Sequence, residues 1–355
     1  MQPDSGAVAE TIRADHKNAD ADSKNADADS AGSNDSVANN AEMLEKIPGS
    51  GLNARRVHLP RFDVDIGPME HLREERERLG ALQWQHFTAE RLSSTCGAVL
   101  HGVDITGALS EDQVTEIREA LLAYKVIFFR DQPFTAEQHI SFARLFGDLE
   151  VHPFLPGNEA HPELVRFEKG AETGGYENGW HHDVSWRETP SMGAVLRAIE
   201  VPSAGGDTLF CDMSAAYEEL DEAMKERLDG LIAVHDFMHA FGRGVPEDKL
   251  AEAREQYPLV EHPVVRTHPE TGRKLIYVNA YFTSHIKDMD EAESIELIRF
   301  LTKRAQYPEY QCRFHWQPHS VAFWDNRIVQ HYATSDYWPD VRIMERASII
   351  GDRPV

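Results

Sequence analysis

The chain has 355 residues, 41% of them hydrophobic, and its 60 acidic against 36 basic residues give a formal net charge of −24. That balance repels nucleic acid and anionic membrane surfaces, and no run of about 18 apolar residues is present to span a bilayer. Cys96, Cys211 and Cys312 are too few and too widely spaced for a disulfide framework or a thiolate zinc site.

The opening MQPDSGAVAE has no basic stretch followed by an apolar one, so no secretory leader is expected and the cytoplasm is the expected location. KNADADS occurs twice in succession, at Lys17–Ser23 and Lys24–Ser30, with no large apolar residue at any position. Such a segment cannot bury enough surface to offset its ordering entropy, so residues 1–52 are expected to form a disordered acidic tail. Residues 53–86 read as an arm carrying a charged helix over Glu70–Gln83, and residues 87–355 as the compact domain.

In that domain Ser110 and Gln113 form a capping box ahead of Val114, Ile117 and Leu121 at helical spacing. VIFFRD reads as a buried strand, and a second box, Thr135 with Gln138, opens a helix that ends at Gly147. Short strands follow: LVRFE, WHHDVSW, GAVLRAIEV and DTLFCD, then a hairpin in VVRTHPETGRKLIYV, then QCRFHW, SVAFWDN and RIMERASII. Helices are expected at Ser214–Leu231, Pro246–Gln256 and Asp290–Gln306. The sum is a β-rich α+β fold, an antiparallel sandwich or barrel with flanking helices. No GxGxxG or Walker A pattern supports a nucleotide fold.

In WHHDVSW, strand alternation places His181 and Asp183 on one face and His182 on the other. The first two can share a metal ion; alone, a His-x-Asp pair is weak support for one. The C-terminal WDNRIVQHYATSDYWPDVRIMERASIIGD adds His331 just beyond a strand, and alternation places Arg342 and Arg346 on one face. Two inward guanidiniums are costly unless they meet anions, either protein carboxylates or a bound ligand. Two histidines and a carboxylate are the donor set that leaves open positions on non-haem Fe(II).

WHHD at Trp180–Asp183, GGDTLF at Gly205–Phe210, WDNRIVQHYA at Trp324–Ala333 and RIMERASIIGD at Arg342–Asp352 resemble the taurine dioxygenase (TauD/TfdA) family. FGDLEVHP at Phe146–Pro153 and HPVVRTHPETG at His262–Gly272 extend the resemblance over residues 87–355. It implies a double-stranded β-helix (jelly roll) and an Fe(II)- and 2-oxoglutarate-dependent dioxygenase. O2 and 2-oxoglutarate would be converted to succinate and CO2 as a substrate C–H bond is hydroxylated. It also implies His181, Asp183 and His331 as iron ligands, and Arg342 with Thr208 as the clamp on the far carboxylate of 2-oxoglutarate. An aspartate at position 183, rather than a small residue, implies hydroxylation instead of halogenation.

For the prime substrate the resemblance implies a small organic anion, a sulfonate such as taurine first, bound by Arg346 and His152 and walled by Phe241 and Tyr277. Sulfate esters, aryloxyalkanoates and other carboxylates are the alternatives within the class; a zinc hydrolase or a non-catalytic ligand-binding barrel are those outside it. Glu177, Leu155 and Glu345 depart from the taurine-type pattern. Glu177 at the pocket would either pair with a substrate ammonium or disfavour a second anionic group. Gly170–Gly179 and Phe237–Pro258 are expected lids, and dimers or tetramers are the assemblies the family leads one to expect.

Overall fold

The computed structural model describes residues 57–355 except 60, 62–63, 153–154, 156, 159 and 243–246. The expected acidic tail, residues 1–52, lies outside the described residues, as does part of the second expected lid. A short ribbon, β1 (Val57–Leu59) with β2 (Val64–Ile66), precedes α1 (Leu72–Ala81), the charged helix expected in the arm. Then come β3 (Thr88–Arg91), β4 (Ala98–His101), α2 (Glu111–Tyr124), β5 (Val126–Phe129) and α3 (Ala136–Arg144). Both capping boxes are formed, with Ser110 accepting from Gln113 N and Thr135 from Gln138 N.

Four strands follow: β6 (Gly157–Asn158), β7 (His161–Lys169), β8 (Gly193–Glu200) and β9 (Thr208–Asp212). Helices α4 (Met213–Glu218) and α5 (Glu222–Leu228) follow in place of the one continuous helix expected over Ser214–Leu231. The break is local chemistry: Asp221 caps a new helix through Met224 N, a bond open to an aspartate outside a helix. β10 (Ile232–His235), α6 (Met238–Phe241), α7 (Leu250–Gln256), β11 (Val260–Pro263) and the expected hairpin of β12 (Val265–Thr267) and β13 (Lys274–Ile276) come next. The chain closes with β14 (Thr283–Ile286), α8 (Glu291–Lys303), β15 (Gln311–Phe314), β16 (Val321–Asp325), β17 (Val329–Ala333) and β18 (Arg342–Ile349).

Eight strands form the large sheet, in the order β3-β4-β5-β16-β8-β18-β7-β6, and β15-β9-β17 form a smaller one. Alternation decides what lies between them. Phe128 of β5 stacks on Phe314 of β15 with centroids 4.0 Å apart, and Phe210 of β9 packs 5.7 Å from Trp324 of β16. Ile127 and Phe129, from the other face of β5, join Ile117 and Leu121 of α2 and Ile140 of α3 in a second core outside the large sheet. The result is a jelly-roll sandwich with helices on one outer face, the architecture the motifs implied. No helix among the described residues is long and apolar enough to cross a membrane.

WHHDVSW is not the strand expected from its alternation. Only His181 makes a β-bridge, to His331, and Asp183 to Trp186 form a turn in which Val184 takes φ 47°. His331, expected just past a strand, lies within β17.

Helix α1 is tied to the sandwich. Leu79 is buried in the outer core, and Glu75 pairs with the fully buried Lys125 at 2.8 Å and with Arg273 at 2.7 Å. Lys125 Nζ also meets Thr95 O at 2.6 Å and Asp212 Oδ2 at 3.2 Å. Glu75→Ala is expected to cost about 2 kcal/mol, because it removes one partner from a charge that has no access to water. Urea unfolding of the variant checks this; an unchanged midpoint would contradict the arm's role.

Candidate active site

The site begins with a backbone bridge. His181 N donates to His331 O at 3.2 Å and His331 N to His181 O at 3.0 Å, so the two side chains leave directly opposite positions and their rings lie 4.3 Å apart. Asp183, two residues on, is placed by Asn326 at the end of β16. Asp183 N donates to Asn326 Oδ1 at 2.7 Å, while Asn326 Nδ2 donates to Asp183 O and Ser191 O, both at 3.0 Å. His181, Asp183 and His331 then present ligand atoms all within 4.8 Å of one another, the one such group among the described residues.

The donor chemistry fits a divalent ion. His181 Nδ1 lies 2.7 Å from Gly179 O, which assigns the proton there and leaves Nε2 with its lone pair aimed at Asp183 Oδ1, 3.8 Å away. His331 Nε2 lies 3.9 Å from Asp183 Oδ2. Burial lowers the pKa of His181 and pushes that of His331 down to about 3, so both imidazoles are neutral, as metal binding requires. For Asp183 burial alone would raise the pKa, but the Arg346 guanidinium holds it well below the usual carboxylate range. Arg346 Nη1 sits 2.8 and 2.9 Å from the two Asp183 oxygens.

His182 faces away. It is fully buried, its ring 4.6 Å from Tyr277, and it is not part of the metal-type group. The fold groups His181, not His182, with Asp183 and His331, and a bridge followed by a turn, not a strand, produces that arrangement.

Two cavities meet at these side chains. The first is lined by Thr208, Phe210, Trp324, His181, His331, Arg342 and Met344 among others. Arg342 is 7% exposed, and its partners are neutral: Nε donates to Gly206 O at 3.0 Å and Nη2 reaches Thr208 Oγ1 at 3.5 Å. No carboxylate among the described residues pairs with it, and burial lowers its pKa. Trp316 Nε1 donates to Thr208 Oγ1 at 2.9 Å, so the threonine's own proton points elsewhere. A buried cation with neutral partners, in a cavity that two members of the metal-type group also line, is suited to an anionic group.

The second cavity is bounded by His152, Asp183, Arg346, Glu177, Phe241 and an aromatic wall of Phe167, Trp186, Tyr281 and Phe282. His152 Nδ1 accepts from Leu155 N at 3.0 Å, which assigns its proton to Nε2, and burial followed by the Arg346 charge pushes its pKa down to about 3. Of the residues expected around the prime substrate, His152, Phe241, Arg346 and Glu177 are brought together. Tyr277 is not: it is fully buried, lines neither cavity, and packs against His182, His235 and His262 in the core.

The place expected for Tyr277 is taken by Tyr281, whose ring lies nearly parallel to that of His181 at 4.8 Å and whose hydroxyl donates to Tyr176 O. Gly179 is required beneath it, because a Cβ there would collide with the Tyr281 ring. Nothing in the spacing of YVNAYF distinguishes Tyr281 from Tyr277. The expected lid Gly170–Gly179 is tied down at its start and its middle, where Trp338 Nε1 donates to Ala171 O and Ser335 Oγ to Gly175 O.

Comparison with known proteins points the same way. The family described as taurine catabolism dioxygenase TauD, TfdA matches residues 88–348. An alpha-ketoglutarate-dependent sulfate ester dioxygenase of Pseudomonas putida is 35% identical over 267 residues, covering 73% of this chain and 88% of that protein. An (S)-phenoxypropionate/alpha-ketoglutarate-dioxygenase of Sphingobium herbicidovorans is 34% identical, covering 75% of this chain and 96% of its own. The crystal structure of a taurine dioxygenase from Burkholderia xenovorans, 36% identical, superposes with a TM-score of 0.67 over 76% of this chain and 91% of that one.

The geometry predicts how metal affinity responds to substitution. His181→Ala is expected to lower Mn(II) affinity at least a hundredfold, whereas His182→Ala leaves it within a few fold. Asn326→Ala, which frees the Asp183 backbone, is expected to cost about 10–100-fold. Calorimetric titration of metal-free protein measures all three, and loss of binding in His182→Ala but not His181→Ala would reverse the ligand assignment.

Proposed function

The chain belongs to the TauD, TfdA family and is an alpha-ketoglutarate-dependent dioxygenase, and from that premise we propose how its own residues divide the work. His181, Asp183 and His331 hold Fe(II), Arg342 and Thr208 bind the far carboxylate of 2-oxoglutarate, and Arg346 with His152 binds a monoanionic organosulfur substrate. Sulfate esters with an apolar tail are the first candidates and sulfonates the second. The observation that carries the cosubstrate assignment is Arg342, a buried guanidinium with only neutral partners in a cavity that opens onto the triad.

Bound iron supplies the oxygen chemistry, the decarboxylation of 2-oxoglutarate to succinate and CO2 coupled to hydroxylation of a substrate C–H bond. The protein's part is orientation and exclusion of water. Arg342 matches a carboxylate with a planar pair of donors, and Thr208 Oγ1 has its proton available to the same group. Phe210 and Trp324 line this cavity and keep the site dry.

In the second cavity His152 is a neutral donor through Nε2, and Arg346 supplies the positive charge. The aromatic wall of Phe167, Trp186, Phe241 and Phe282 favours an apolar tail. Hydroxylation of the carbon that bears the sulfate oxygen of R–CH2–OSO3⁻ gives R–CH(OH)–OSO3⁻, which collapses to the aldehyde and hydrogen sulfate. The same step on a sulfonate yields the aldehyde and sulfite. The similarity to a sulfate ester dioxygenase supports the first order of candidates, and the similarity to a taurine dioxygenase the second.

A panel of alkyl sulfates and alkanesulfonates, scored for succinate with sulfate or sulfite, tests the reading. Octyl sulfate is expected to stimulate 2-oxoglutarate turnover with one aldehyde and one sulfate formed per succinate, and Arg346→Gln to raise its KM at least tenfold. Sulfite from sulfonates alone would move the substrate to the second class. Product formed without O2 or 2-oxoglutarate would defeat the assignment and favour a hydrolase.

A further inference from the structure

Lys169 was not singled out by any motif, yet the sheet places it beside the cosubstrate clamp. In the β7–β18 ladder Lys169 is the register partner of Arg342, and both side chains line the first cavity. Directly opposed like charges are unfavourable on a sheet face. The compensation is Glu177, whose Oε1 lies 3.0 Å from Lys169 Nζ while its other carboxylate oxygen accepts from Tyr176 N at 2.9 Å. Its backbone is fixed as well, with Ala333 N of β17 donating to Glu177 O at 3.2 Å.

Glu177 lines both cavities, and its charge is felt by Arg342 and Tyr337 on one side and by Tyr281 on the other. Arg346 also lines the first cavity but is paired with Asp183, and the remaining charges of Arg342, Lys169 and Glu177 sum to one positive unit, the complement of a single carboxylate. With Lys169 neutral they would sum to zero, and Glu177 would face an incoming dianion unshielded.

We infer that Lys169 and Glu177 form a charge-compensating pair in the wall between the two cavities, with Lys169 a specificity-determining residue for the dicarboxylate cosubstrate and Glu177 one for the far end of the prime substrate. This rests on the reading of the Arg342 cavity as the 2-oxoglutarate site. Lys169 cancels the repulsion of Glu177 toward 2-oxoglutarate and takes up the carboxylate that a substrate ammonium would otherwise use. The pair thereby selects, in the second cavity, substrates that carry charge only at the Arg346 end. Without Lys169 the bare carboxylate favours a zwitterion such as an aminoalkanesulfonate; without Glu177 a second anionic group is tolerated.

A double-mutant cycle on the full-length, Mn(II)-loaded protein under anaerobic conditions tests this, with 2-oxoglutarate affinity read by calorimetry. Lys169→Met is expected to weaken 2-oxoglutarate binding about tenfold, and Lys169→Met with Glu177→Gln to restore it to within about threefold of the parent. In turnover assays Lys169→Met is expected to gain at least tenfold in preference for taurine over octyl sulfate, a gain that the second substitution removes. Equal weakening in the single and double variants, or no weakening in Lys169→Met, overturns the inference. Arg342→Met separates the two levels. If it abolishes 2-oxoglutarate binding while Lys169→Met does not affect it, the inference alone fails; if it leaves binding intact, the site reading fails with it.

Discussion

A carboxylate removed from water has to be compensated, and the arrangement around Asp183 follows from that requirement. Its neighbours are two imidazoles made neutral by burial and the Arg346 guanidinium, which meets both of its oxygens. Neutral histidines contribute lone pairs but no charge, so the ion pair with Arg346 is the main compensation within the chain itself. A divalent cation among the same three donors is the other way to satisfy this carboxylate, and the donor set is suited to it. Asn326 completes the design by gripping the Asp183 backbone from β16, so that the carboxylate is placed by the sheet and not by the turn that carries it.

One strand serves both cavities. In β18, Arg342, Met344 and Arg346 project to the same face, with the first guanidinium toward Thr208 and the second toward Asp183 and the aromatic cavity. The intervening side chains turn the other way, where Ala347 and Ile349 pack under the helices and Glu345 is held by Arg197 and Arg166. Period-two alternation therefore fixes the spacing between the cosubstrate end and the substrate end of the site. A slip of one residue would bring Glu345 into the cavity and both arginines into the outer core.

Much of this was legible in the sequence, and for identifiable reasons. Local signals held: the Ser110–Gln113 and Thr135–Gln138 boxes cap helices, VIFF divides its faces between two cores, and RIMERAS presents both arginines together. The motif resemblance also pointed to Thr208, His152 and Phe241, which spacing alone could not single out and which line the two cavities. Failures arose where tertiary contacts override local pattern. WHHDVSW alternates like a strand but is claimed by one bridge to β17 and by Asn326, and becomes a turn. Tyr277 and Tyr281 are equivalent by composition, and only packing sends one to the core and the other onto His181. Lys169 gains its meaning from strand register with Arg342, a relation between residues far apart in the chain.

The most direct test of the convergence at Asp183 is a crystal structure of the protein with Mn(II) and 2-oxoglutarate, with the metal located from its anomalous scattering. The account predicts one strong peak bonded to His181 Nε2, a carboxylate oxygen of Asp183 and His331 Nε2, with the dicarboxylate running from that peak to Arg342. A peak coordinated by His182, or a dicarboxylate lying outside the Arg342 cavity, would contradict it.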